Sequence, residues 1–228
     1  MNGDYSEDLK DLLLIEHKEK VVKKGSFLFR EGDLADSIFY IRSGRVRIGK
    51  ITPDGREITF RICSEGDYIS EIRLFCKLST YRVQAKVIED CSLVKIGKQD
   101  LEEKLLLDTS LTVGFLKMMG TQQQQTQSKF RDLVLHGKKG ALYSTLIRMT
   151  NSYGIEKNDG ILIDLPLTNQ ELANFCGMSR EVVNRLLNSL KNDGIIKMDN
   201  GKIFVHNLQY LKDEIHCENC PVDICRMD

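Results

Sequence analysis

From about Val21 to Ile96, apolar and polar positions alternate in short runs interrupted by glycines. Residues 26–29, 38–41, 45–48, 57–62 and 81–87 carry the period of two and the β-branched or aromatic content of strands. Gly25, Gly32, Gly44, Gly55 and Gly66 punctuate them. In Pro53-Asp54-Gly55 the proline presets φ and the glycine accepts positive φ, which predicts a tight turn. Many short strands at regular spacing predict a closed β barrel or a roll.

After Gln99 the period lengthens. Residues 99–106 read as a helix, and Asp108-Thr-Ser places capping-type residues ahead of a longer one. No proline interrupts Asp108 to Leu135 and Gly137 stops the run, so this rod measures roughly 42 Å at 1.5 Å per residue. Phe115, Met119, Gln122, Thr126, Lys129 and Leu133 step by four and three, as in a coiled coil. The pattern predicts a dimerisation helix, apolar at both ends of its seam and polar over residues 122–127. The alternative is a helix lying on its own domain's surface.

The last third reads helix, helix, helix, hairpin. Residues 141–152 are amphipathic, with Leu142, Leu146 and Met149 on one face. Thr168 and Glu171 have capping-box spacing and open a short helix to Cys176, with Gly177-Met178 as the turn. A second helix runs from Ser179 to Asn192, closed by Gly194. Residues 195–198 and 202–205 flank Asn200-Gly201 and form a hairpin. Together these make a winged helix-turn-helix, and the chain is α+β.

In the second of those helices Val182, Val183, Leu186, Leu187 and Leu190 face inward. That leaves Arg180, Glu181, Asn184, Arg185 and Asn188 outside, where the N-terminal end of a recognition helix meets the major groove. Arginine can grip guanine O6 and N7 with two bonds, and glutamate can accept from cytosine N4. Ser179, Lys191 and Lys202 are candidate phosphate contacts that set register. The bland alternative is that Glu181 and Arg185 only form a surface i,i+4 ion pair.

Composition narrows the class without choosing it. The chain has 228 residues, room for two modest domains, and a net charge of zero, so a DNA-binding surface must be local. No run approaches the ~18 apolar residues of a membrane span. Residues 1–10 are polar and acidic, with no signal-peptide pattern. A cytoplasmic location is therefore expected, and with seven cysteines, an odd number, a disulfide framework is not. No Walker loop, HExxH, GxSxG or dinucleotide fingerprint appears, so an enzyme is not expected.

Three of those cysteines, Cys217, Cys220 and Cys225, fall in the spacing Cys-x2-Cys-x4-Cys close to the chain end. A segment this short cannot bury a core, and thiolates so close can converge on one soft metal centre with a fourth donor from elsewhere. A zinc-binding structural tail would use the same thiols. Cys63, Cys76, Cys91 and Cys176 lie in apolar surroundings and read as small hydrophobes.

At this point Arg30-Glu-Gly-Asp33, Ile41-Arg-Ser-Gly-Arg-Val46, Gly66-Asp-Tyr-Ile-Ser-Glu71 and Ser179-Arg-Glu-Val-Val-Asn-Arg185 resemble the Crp-Fnr family of bacterial transcription regulators, across nearly the whole chain. The resemblance implies a cyclic-nucleotide-type β roll over residues 1–107, a dimerisation helix over 108–135, a winged helix-turn-helix over 136–216 and a cysteine tail over 217–228. It implies a homodimer on double-stranded DNA. Arg180, Glu181 and Arg185 match the base-reading positions for a palindrome of the TGTGA-N6-TCACA type, and RNA polymerase is the implied partner.

Where the nucleotide-binding members carry Gly-Glu and Arg-Ser around the phosphate, this chain has Ser70-Glu71 and, near the second pair, Ser79-Thr80. A bound cyclic nucleotide is therefore not expected. The tail resembles that of the bacillus-type Fnr regulators, which implies an oxygen-labile 4Fe-4S cluster on Cys217, Cys220, Cys225 and Asp132, with His216, His136 and Asp228 as competing fourth ligands. On that reading the cluster ties the tail beside a hinge at Gly137-Lys-Lys-Gly140. Oxygen releases it, and the genes controlled are those of anaerobic respiration and fermentation.

Overall fold

The computed structural model describes residues 19–77 and 79–227. The segment 1–10, read above for targeting signals, and Asp228 lie outside the described residues. The chain divides into two compact units, with the boundary between Gly120 and Thr121.

The first unit is built on an antiparallel sheet of β1 (Glu19–Val22), β2 (Phe27–Phe29), β3 (Ser37–Ile51), β4 (Glu57–Cys63), β5 (Tyr68–Ile69) and β6 (Gln84–Gly97). Its main path is β1-β6-β3-β4, with β2 on β6 and β5 on β3. β3 and β6 pair from Ser37↔Gly97 to Gly49↔Gln84, with register shifts between Ile41 and Val46. Two of the expected strands, 38–41 and 45–48, are thus one long strand. Gly44 is a bend within it and not a turn after it. Its φ is 87°, and a Cβ there would lie 2.3 Å from the Asp90 carbonyl oxygen, so only glycine lets the two backbones meet.

Because side chains alternate along a strand, β3 feeds two separate cores. Phe39, Ile41, Val46 and Ile48 join Phe29, Val87 and Leu93 in one. Ile38 and Tyr40 join Val94 and Ile96 in the other, together with Leu101 and Leu105 of α1 (Lys98–Leu107). Leu111, Phe115 and Met118, from the start of α2 (Thr109–Tyr153), complete that second core. Asp108 caps α2 by accepting from the Leu111 amide at 3.0 Å.

Phe115, expected on a dimer seam, is therefore a core residue of its own unit. Met119 and Leu133 of the expected seam are exposed, as are Val113, Leu116, Phe130, Val134 and Leu135, so both that step and the one beside it show apolar residues at the surface. Cys63, Cys91 and Cys176 are buried as small hydrophobes, but Cys76 is exposed.

α2 breaks at Gly137, whose φ of 57° and ψ of −148° are not helical. Beyond it Leu142, Leu146 and Met149 are fully buried, the face their spacing predicts. The second unit continues with β7 (Gly154–Lys157), β8 (Gly160–Ile163), α3 (Asn169–Cys176), α4 (Arg180–Asn192), β9 (Ile196–Asp199), β10 (Lys202–Val205) and α5 (Leu208–Glu214). The wing is larger than the expected hairpin, a four-stranded sheet in the order β7-β8-β10-β9. The turn-type Asn158-Asp159-Gly160 directly before the apolar run Ile161-Leu-Ile163 was the available signal for the extra pair.

Candidate nucleic-acid interface

α3 starts on a complete capping box: the Thr168 side chain accepts from the Glu171 amide while Glu171 accepts from the Thr168 amide at 2.8 Å. It ends at Gly177, in the left-handed region at φ 61°. This tight turn delivers α4 with Ser179 extended as its N-cap residue. Val183, Leu187 and Leu190 are buried, and Val182 and Leu186 half-buried. Arg180, Glu181, Asn184, Arg185 and Asn188 are all exposed, on the face their spacing assigns.

The exposed face is polar and partly pre-set. The Glu181 carboxyl is held below its ordinary range, first by its own backbone amide and then by the Ser179 hydroxyl. The Asn184 Oδ1 accepts from the Asn169 Nδ2 at 3.0 Å, so a residue of α3 orients a side chain of α4. Asn169 did not stand out in the sequence, because only the packing of the two helices brings it to Asn184. Among the described residues no ion pair joins Glu181 to Arg185. On the wing, the Lys202 ammonium lies 2.5 Å from the Asp164 carboxylate.

The tail and Asp132 do come to one neighbourhood, without forming a metal site. Asp132 is 4% exposed. Its Oδ2 accepts from Arg148 at 2.5 Å and from the Ser144 hydroxyl at 2.6 Å, and its Oδ1 accepts from Arg131 at 2.9 Å. Cys220 Sγ faces the Arg131 guanidinium at 3.8 and 3.9 Å. Burial pushes the Cys225 thiol up; the Arg148 charge opposes that, and Cys217, Cys220 and Asp132 add to it. The His136 and His216 rings are 6.1 Å apart.

Among the described residues no group of three or more His, Cys, Asp or Glu side chains could hold a metal ion. This overturns the expected 4Fe-4S cluster on Cys217, Cys220, Cys225 and Asp132, and the zinc alternative with it. The physical reason is that both carboxylate oxygens of Asp132 are already taken by guanidinium and hydroxyl donors. A guanidinium also stands against Cys220, where a metal cation would be repelled.

Comparison with known proteins agrees with this architecture. The Cyclic nucleotide-binding domain family matches residues 19–108, and the Crp-like helix-turn-helix domain family matches residues 140–214. The chain belongs to the Crp-Fnr family of transcription regulators. It is closely related to the "Anaerobic regulatory protein" of Bacillus subtilis (strain 168), at 49% identity over 98% of this chain and 94% of that one. It is also similar to the "Lactate racemization regulatory protein" of Lactiplantibacillus plantarum, at 28% identity over 85% of this chain and 89% of that one. A solved structure of a CooA mutant from Carboxydothermus hydrogenoformans shares the fold, with a TM-score of 0.75 at 22% identity, covering 94% and 92% of the two chains. As a member of this family the chain is a DNA-binding transcription factor and not an enzyme. Among the described residues no helix is long and apolar enough to cross a membrane.

Proposed function

We propose that the protein binds a palindromic operator of the TGTGA-N6-TCACA type as a homodimer and, through RNA polymerase, activates genes of anaerobic respiration and fermentation. The observation that carries this reading is the exposed row at the start of α4. Arg180, Glu181, Asn184 and Arg185 share one solvent face of a helix presented by a capped helix and a glycine turn. Arg180 and Arg185 read guanine, Glu181 reads cytosine, and Ser179 and Lys202 contact phosphate. The dimer is supported by the exposed Val113, Leu116, Phe130 and Val134, which repeat at coiled-coil spacing. The class of target genes is supported by the description of the Bacillus subtilis relative.

The roll works here without a cyclic nucleotide. In support, the Arg61 guanidinium is paired with Glu71 at 2.9 Å, so a charge suited to a phosphate already has a partner. Ser79 and Thr80 are engaged by their backbones with Ala35 and Leu34. The deciding experiment is a gel shift with the palindrome and a scrambled duplex. Wild type binds the palindrome selectively and the Arg180→Ala variant loses that preference; equal binding of both duplexes by wild type defeats the reading.

A further inference from the structure

Two carboxamides meet between α3 and α4. Asn169 is the first residue of α3, directly after its N-cap Thr168, and is half-buried. Asn184, fifteen residues on, belongs to the exposed row of α4. The capping box fixes where α3 starts, and with it the point from which the Asn169 side chain leaves the helix. The two helices pack against each other. Leu172 and Ala173 of α3 and Val183 and Leu187 of α4 are each at most 1% exposed. Packed backbone therefore sets the spacing of the two amides.

The Asn169 Nδ2 donates to the Asn184 Oδ1 at 3.0 Å. A carboxamide carries two donor hydrogens on its nitrogen and two acceptor sites on its oxygen. This bond uses one acceptor site of Asn184 and spares the second, together with both hydrogens of its Nδ2. In the major groove adenine offers N7 as acceptor and N6 as donor, and asparagine can grip both at once. Only one of the two flipped settings of the amide matches that order. The terminal torsion of an asparagine is broad and roughly two-fold, so an unassisted exposed side chain samples both settings. A donor on α3 favours the setting that turns the oxygen towards α3.

We propose that Asn169 is a specificity-determining residue that acts through Asn184. It holds the Asn184 amide in one setting, with Oδ1 accepting from an adenine N6 and Nδ2 donating to N7, so that Asn184 reads an A·T pair. Asn169 is a positioning residue and touches no base. The inference rests on the assignment of α4 to the major groove. It adds an A·T reader to the guanine contacts of Arg180 and Arg185 and the cytosine contact of Glu181.

The test uses the full chain in anisotropy titrations on duplexes whose half-site base pairs are exchanged one at a time, symmetrically. Wild type should prefer A·T at one pair by about ten- to a hundredfold, and Asn184→Ala should abolish that preference. Asn169→Ala should cut it about three- to tenfold, as loss of one hydrogen bond allows. Preferences at the G·C pairs should persist in both variants, which shows an intact helix-turn-helix. Asn169→Asp keeps nearly the same shape but accepts without donating. It turns the Asn184 amide over and should lose at least as much A·T preference as alanine does. In the Asn184→Ala background, Asn169→Ala should change no preference further.

An Asn169→Ala or Asn169→Asp variant that keeps the full A·T preference overturns the proposal. So does Asn169→Ala that weakens every duplex alike, the mark of a phosphate contact, or wild type indifferent at every A·T pair. Wild type that ignores the palindrome defeats the operator reading by itself. The duplex it selects from a randomised pool then serves for the same comparison of variants, which alone judges Asn169.

Discussion

The Arg148 guanidinium lies 2.5 Å from the Asp132 carboxylate, sixteen residues earlier and across the Gly137 break, with side-chain exposures of 3% and 6%. Desolvating both charges offsets much of their attraction, so the pair contributes little against a well-packed apolar substitute. Removing one partner is different. Asp132→Ala leaves Arg148 buried without its anion and is expected to cost about 3–5 kcal/mol. Replacing both residues, Asp132→Leu with Arg148→Met, should recover most of that loss. Urea unfolding of chelated protein checks both, and equal losses in the single and double variants would count against the pairing.

Thr168→Ala removes one half of the capping box that opens α3. A loss of about 1 kcal/mol is expected, read as a lower urea midpoint at unchanged slope. Because Thr168 does not belong to the exposed row of α4, operator selectivity should persist at temperatures where the variant is folded.

At the interface the two kinds of contact should separate by their salt dependence. Arg180→Ala and Arg185→Ala are each expected to cost about 1–3 kcal/mol on the palindrome and to relax selectivity at one base step. Lys202→Ala should weaken binding alike on all sequences and flatten the salt slope by about one. Anisotropy titrations from low to physiological salt on matched and mismatched duplexes read both quantities.

Burial raises the thiols of Cys91 and Cys176 from an ordinary 9.0 to about 11 and about 12. The unfolded chain therefore releases these protons before the folded one does. Their effect on stability is absent below pH 9, and stability falls as pH climbs from 9 towards 11–12. In native protein at pH 8.5 iodoacetamide should modify the exposed Cys76 and spare Cys91 and Cys176 until denaturant is added. Mass spectrometry after a timed quench measures this.

Gly44→Ala places a methyl 2.3 Å from the Asp90 carbonyl, at a backbone angle that L residues rarely adopt. A loss of more than about 1–3 kcal/mol is expected, seen as a lowered melting temperature. Gly55→Ala, with a similar φ but nothing within 4 Å, should lose only the conformational part.

How much could be read in advance varied with the kind of pattern. The apolar face of residues 141–152, the Thr168 capping box, the Gly177 turn and the exposed row of α4 all follow local periods, and the structure has them where the spacing put them. The continuity of β3 through Gly44 was not legible, because a bend and a turn use the same residue. Of the apolar residues stepped along α2, Met119 and Leu133 are exposed but Phe115 is buried in its own unit, since a local period does not say which residues tertiary packing will cover.

By itself the sequence determined the order of elements, the cap and turn chemistry and which residues of α4 face outward, since each depends on neighbours within a few positions. Tertiary structure alone decided the fate of Asp132 and the cysteine tail. Three thiols and a carboxylate have the right types for a metal, but Arg131, Arg148 and Ser144 reach the carboxylate through folding, and charge already neutralised by buried donors is no longer available as a ligand.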